Sequence, residues 1–64
     1  MNYFYRKNGT VKRFDSLNAL IYRICVDFPK MGFLHKRVIS DALWDLSPGD
    51  LLEDRDLGFE VFAR

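Results

Sequence analysis

Two side chains in this 64-residue sequence titrate near neutrality, Cys25 and His35. A thiol and an imidazole make a nucleophile and its base when they come within hydrogen-bond reach and a third group orients the base. Both residues fall on the expected inward faces of two helices, where a lone cysteine packs as a small core residue and a lone histidine is a satisfied or a surface one. There is no Gly-rich phosphate loop, paired-carboxylate motif or Ser/His/Asp arrangement to add to them. The reading is a non-enzymatic protein.

The carboxylates offer a second chemistry. In "GDLLEDRDLG", residues 49–58, Asp54 and Asp56 stand at alternate positions and could share an oxygen-loving cation. The spacing is not that of an EF-hand loop, and no glutamate closes it. One Cys and one His fall short of the four ligands of a structural zinc site, and one Cys forms no internal disulfide. No metal and no cofactor are expected. What these acids do carry is charge. The net charge is +1, yet residues 1–40 sum to +6 and residues 41–64 to −5. With Asp41 and Asp45, the carboxylates of Glu53, Asp54 and Asp56 can imitate a row of phosphates and steer the chain onto a basic partner. The plainer alternative is that the two halves attract each other across the fold.

The basic side chains suggest an alternative function, nucleic-acid binding. "YRKNGTVKRF", residues 5–14, sets Arg6, Lys7, Lys12 and Arg13 around an Asn-Gly pair, and Lys36 and Arg37 follow in "HKR". Two helices joined by a short Gly-containing turn have the outline of a helix-turn-helix. Three considerations weigh against it. Asp41 and Asp45 lie on the helix that would enter the groove, the whole chain lacks the positive charge that drives counterion release, and Lys and Arg commonly protect strand edges.

These residues must be held by some set of elements. Residues 2–7 and 10–14 are rich in Tyr, Phe, Val and Thr and flank "NG", which predicts a hairpin with a type I′ turn. Two-residue closure pairs Tyr3 with Phe14 and Tyr5 with Lys12, putting Tyr3, Tyr5 and Phe14 on one face and Phe4 and Val11 on the other, whereas a one-residue bulge at Gly9 would swap part of this pattern. Asp15 or Ser16 then caps a helix whose apolar residues Leu17, Leu20, Ile21, Ile24, Cys25 and Phe28 follow helical spacing. Pro29 stops it. A second helix is predicted from about Phe33 to Leu46, its inward stripe being Val38, Ile39, Ala42, Leu43 and Leu46. "SPGD" resembles a helix start, so a short helical turn is expected to carry Leu51 and Leu52 until Gly58. "FEVFAR" has the content of a last strand, with Phe59 and Val61 on one face and Phe62 on the other.

The expected fold is therefore α+β, a single domain over 1–64 in β-β-α-α-β order: the hairpin and a C-terminal strand form a three-stranded antiparallel sheet against two helices. A chain this short buries only about 60% of the surface it exposes when unfolded. Even so, apolar side chains remain once the core is filled. Tyr22 and Val26, with Ala19, lie almost opposite the core stripe of the first helix. Phe33, Arg37 and Trp44 lie away from that of the second. Trp, Tyr and Arg are the residue types most enriched at binding hot spots. Either the C-terminal arm covers Trp44 and Phe33, or a larger protein or a second copy in a homodimer does.

No run is long enough to span a membrane, and the start lacks the order of a signal peptide. A cytoplasmic protein is expected, beginning at its own Met without a tag-like tail. The functional expectation is a small regulator or inhibitor that docks on a larger protein. Stand-alone proteins of this size are common in bacteria and their phages, and from size class alone a phage-encoded, host-directed inhibitor of the anti-defence type is expected.

Overall fold

The computed structural model describes all of residues 1–64 and contains β1 (Tyr3–Lys7), β2 (Thr10–Phe14), α1 (Leu17–Asp27), α2 (Phe33–Trp44), β3 (Leu51–Asp54) and β4 (Phe59–Ala63). The fold is α+β, as expected, but the sheet has four strands rather than three. Its order is β2-β1-β4-β3, antiparallel throughout.

The first hairpin matches the expected register, with Tyr3 opposite Phe14 and Lys7 opposite Thr10. Asn8 and Gly9 both adopt positive φ, 52° and 78°, as a type I′ turn requires. Only residues tolerant of that region close two strands in two residues.

The second hairpin replaces the expected helical turn. Ser47, Pro48, Gly49 and Asp50 form a β-turn instead of a helix start: the Asp50 amide donates to the Ser47 carbonyl at 2.9 Å, and Gly49 takes φ 94°. Proline followed by a residue at positive φ is the pattern of a type II turn. The fixed φ of Pro48 suits this turn as well as a first helical position, so the residue alone does not separate the two. Leu51 then points to the open face of the sheet and Leu52 to the helix side, as a strand demands.

β1 and β4 are the two central strands. Their pairing sets Phe4 opposite Phe62 and Arg6 opposite Glu60, and runs on beyond the strands, where Asn2 and Arg64 exchange backbone bonds of 2.8 and 2.9 Å. The helices cover one face of the sheet. Leu20, Ile24, Leu43 and Val61 are fully buried, within a core that also holds Tyr3, Tyr5, Leu17, Ile39, Phe59 and Ala63. The Phe59 ring meets those of Tyr5 and Phe28 at centroid distances of 5.6 and 5.5 Å.

Ser16 caps α1, its Oγ accepting from the Ala19 amide at 3.4 Å, and the helix closes at Phe28, whose amide donates to the Ile24 carbonyl. Helix α2 ends at Trp44, two residues before the expected Leu46. Its inward stripe also differs from expectation: Val38 is 66% exposed, while Ile39 and Leu43 are buried and Leu46 is half-buried. The His35 imidazole, on the same side of α2 as Ile39, sits 2.6 Å from Asp54 at the end of β3. Val38, 100° from Ile39 around the helix, then faces away. No helix is long and apolar enough to cross a membrane.

Candidate interaction surfaces

The core closes without the side chains singled out on the outer helix faces. Tyr22 is 71% exposed, Val26 49%, Phe33 75% and Trp44 63%. The C-terminal arm does not fold over Trp44 and Phe33, because it is occupied as the β3–β4 hairpin. Arg37, between Phe33 and Trp44 on one side of α2, is exposed as well, and so are Asp41 and Asp45. Leu34 and Val38 add a second exposed apolar strip on α2 that the spacing did not mark.

The acidic residues of the C-terminal third divide into two kinds. Asp56 is exposed and Glu53 is half-exposed, its Oε1 accepting from Arg55 Nε at 2.9 Å. Asp54 is a structural carboxylate instead of a free steering charge: Oδ2 meets His35 and Oδ1 accepts from the Leu57 amide at 2.9 Å. Burial pushes this carboxyl up, but the Leu57 amide and the His35 imidazole outweigh burial and hold it below its ordinary value of 3.8. Asp54 thereby joins the start of α2 to the turn of the second hairpin.

The basic residues are distributed over three surfaces. Arg6 and Arg13 project from the open face of the sheet, Lys7 and Lys12 from the helix side, and Lys36 from α2. Arg6 is bound to Glu60 at 2.8 Å. Lys7 Nζ lies 5.1 Å from the Phe28 ring centroid. With Arg23 and Asp27, Lys7 and Lys12 line a cleft of about 220 Å³ between the first hairpin and α1. Deep in it the Tyr5 hydroxyl donates to Asp27 Oδ2 at 2.8 Å, and Arg23 Nε lies 3.3 Å from Oδ1. Burial first, then the hydrogen bond to this carboxylate and its charge, push the Tyr5 hydroxyl far above its usual range. Tyr5 stays neutral and holds β1 to the end of α1.

On the open face the Phe4 and Phe62 rings stack at 5.1 Å with an interplanar angle of 10°, and the Arg64 guanidinium lies over both. This cluster was not singled out in the sequence. Its signal was the outward position of Phe4 and Phe62, which becomes informative only once β4 is known to pair with β1.

Cys25 is half-buried, and the His35 ring is committed to Asp54. No group of three His, Cys, Asp or Glu side chains is arranged to hold a metal ion. Comparison with known proteins gives no matching family model, no matching curated protein and no matching solved structure.

Proposed function

We propose that this chain is a small non-enzymatic regulator or inhibitor that acts by docking its helix layer on a larger protein. One observation carries the reading: Tyr22, Val26, Phe33 and Trp44 are each about half or more exposed although the core is complete without them. Exposed large aromatics on rigid helices bury apolar area on binding at little cost in backbone ordering. Arg37 supplies a charged anchor beside Phe33 and Trp44, while Asp41, Asp45 and Asp56 direct the approach to a basic partner. The scatter of Arg6, Lys7, Lys12, Arg13 and Lys36 over three surfaces favours this reading over nucleic-acid binding, which needs the cations along one backbone track. The size class extends the proposal to a bacteriophage protein directed against a host protein.

The test compares proteins captured by the wild-type chain with those captured by Tyr22→Ala and Trp44→Ala. Each variant is expected to lose the same captured protein while its stability stays within about 0.5 kcal/mol of wild type, as for surface substitutions generally. An unchanged set of captured proteins for both variants would end the proposal. Salt-dependent retention on RNA or DNA, lost on changing Lys7, Lys12 and Arg13 to Ala, would replace it with nucleic-acid binding.

A further inference from the structure

The two edges of the sheet carry opposite charge. β2 presents Lys12 and Arg13, and β3 presents Glu53 and Asp54. The +6 and −5 halves of the sequence thus reach opposite ends of the strand order β2-β1-β4-β3. Neither edge is covered by backbone. Thr10, Lys12 and Phe14 direct their main-chain groups at β1, because Lys7 and Thr10 are the closing pair of a two-residue hairpin and such pairs alternate. The main-chain groups of Val11 and Arg13 therefore face outward. On β3 the Ala63 amide donates to the Asp50 carbonyl, so by the same alternation Leu51 and Glu53 turn theirs outward. No turn, loop or cap bond engages these four residues. Val11 and Leu51 are also about half exposed or more.

Pairing β2 with β2 of a second copy in a register centred on Lys12 or Arg13 opposes like cations, and pairing β3 with β3 in a register centred on Glu53 opposes like acids. Like charges opposed across a strand pair are destabilising. Pairing β2 with β3 has no such conflict, and the sheet is built to continue that way. It has four strands, all antiparallel, so β3 of a second copy laid beside β2 preserves the alternation and keeps both helix layers on one side. Two helices about 10 Å wide span roughly the same breadth as four strands spaced about 4.8 Å apart, so the two layers repeat together.

One register opposes opposite charges across the two edges, with Val11 opposite Arg55 and Leu51 opposite Asp15. Arg13 faces the second copy's Glu53 on the open face, where it competes with the exposed Arg55 for that carboxylate, and Phe14 faces its Leu52; Lys12 faces Asp54, whose carboxylate is already held by His35 and the Leu57 amide. Arg13 and Glu53 are also the residues whose outward backbone groups would exchange hydrogen bonds. A slip of two residues sets Arg13 against Leu51 or against Arg55 and loses the Arg13–Glu53 ion pair. We propose that copies of this chain associate head to tail by adding the acidic edge β3 of one to the basic edge β2 of the next, in the register that opposes Arg13 to Glu53. Such a contact is heterologous and continues into a ring or a filament, according to the twist between copies. It leaves the helix faces free, so it stands or falls separately from docking on a larger protein.

Sedimentation velocity of the purified chain over a range of concentrations and salt tests it, with Arg13→Glu and Glu53→Lys as variants. Both side chains are exposed on the open face, and far-UV circular dichroism confirms that each variant remains folded. The wild-type chain is expected to sediment as species larger than its 7.6 kDa monomer, and rising salt to reduce them. Arg13→Glu alone and Glu53→Lys alone are each expected to sediment as monomer, since each opposes like charges at every contact. Their equimolar mixture is expected to recover the large species, because each reversed edge meets its complement on the other variant. A wild-type chain that is monomeric throughout overturns the proposal. So does association that neither substitution changes, or a mixture that stays monomeric.

Discussion

The two hairpins of this domain share a construction and differ in almost everything that decorates it. Each contributes one central and one edge strand. The first, β1–β2, is closed by two residues at positive φ and carries its charge as Lys and Arg. The second, β3–β4, is closed by Arg55 to Gly58, is pinned to α2 through Asp54 and His35, and carries Glu and Asp. The first turn rests on backbone preference alone, whereas the second enlists a side chain from a helix nineteen residues earlier. A hairpin whose turn is self-sufficient can be recognised locally. One whose turn depends on tertiary contacts cannot.

The largest expected effect tests how far the core depends on the second hairpin, which gives it Phe59, Val61 and Ala63. Phe59→Ala removes a buried ring that touches Tyr5 and Phe28, and is expected to cost about 3–5 kcal/mol in urea unfolding, a large share of the stability of a domain this small. A loss no larger than that of Tyr3→Ala, at a buried position of the first hairpin, would equalise the two hairpins.

Asp54→Ala breaks the pin. Losing the His35 contact and the Leu57 hydrogen bond is expected to cost about 1–3 kcal/mol. The pH dependence has a definite sign. The carboxyl lies below its ordinary value of 3.8 in the folded chain, so its contribution is complete above that pH. It disappears as the pH falls through the folded value. The gap between wild type and Asp54→Ala, measured by thermal unfolding, should therefore narrow in acid. A gap independent of acid pH would mean that the carboxylate charge contributes nothing.

The smallest effect compares the turns. Gly9 and Gly58 both sit at positive φ, 78° and 82°, and a Cβ would meet nothing at either position. Backbone strain alone should set the cost of Gly9→Ala and Gly58→Ala, about 1 kcal/mol each. A silent Gly58→Ala would show that Asp54 holds the second turn without help from its glycine.

The same contrast explains what could be read in the sequence. The Asn-Gly hairpin, the Leu17–Phe28 repeat and the final strand were legible because turn chemistry and periodicity act over a few residues. β3 was not, because Ser47-Pro48-Gly49-Asp50 suits a helix start and a type II turn equally well, and four residues are too few to display alternation. Val38 reads as inward because α2 has apolar residues on more than one side, and only the packed fold shows that Ile39 and Leu43 take the core side. Of the interaction surfaces, Tyr22, Val26, Phe33 and Trp44 were legible as apolar residues off the core stripe. The opposition of the two sheet edges was not, since it exists only in the strand order.

The backbone bonds between Asn2 and Arg64 have a kinetic consequence. The centre of the sheet joins strands from opposite ends of the chain, so its assembly closes a loop of more than fifty residues, at a cost of roughly (3/2)RT ln n, about 3.5 kcal/mol, before the contact is rewarded. The first hairpin can form early by itself, but it has no neighbouring strand until the ends meet. The transition state for folding should therefore contain the β1–β4 pairing, and the domain should unfold as one cooperative unit instead of fraying inward from its termini.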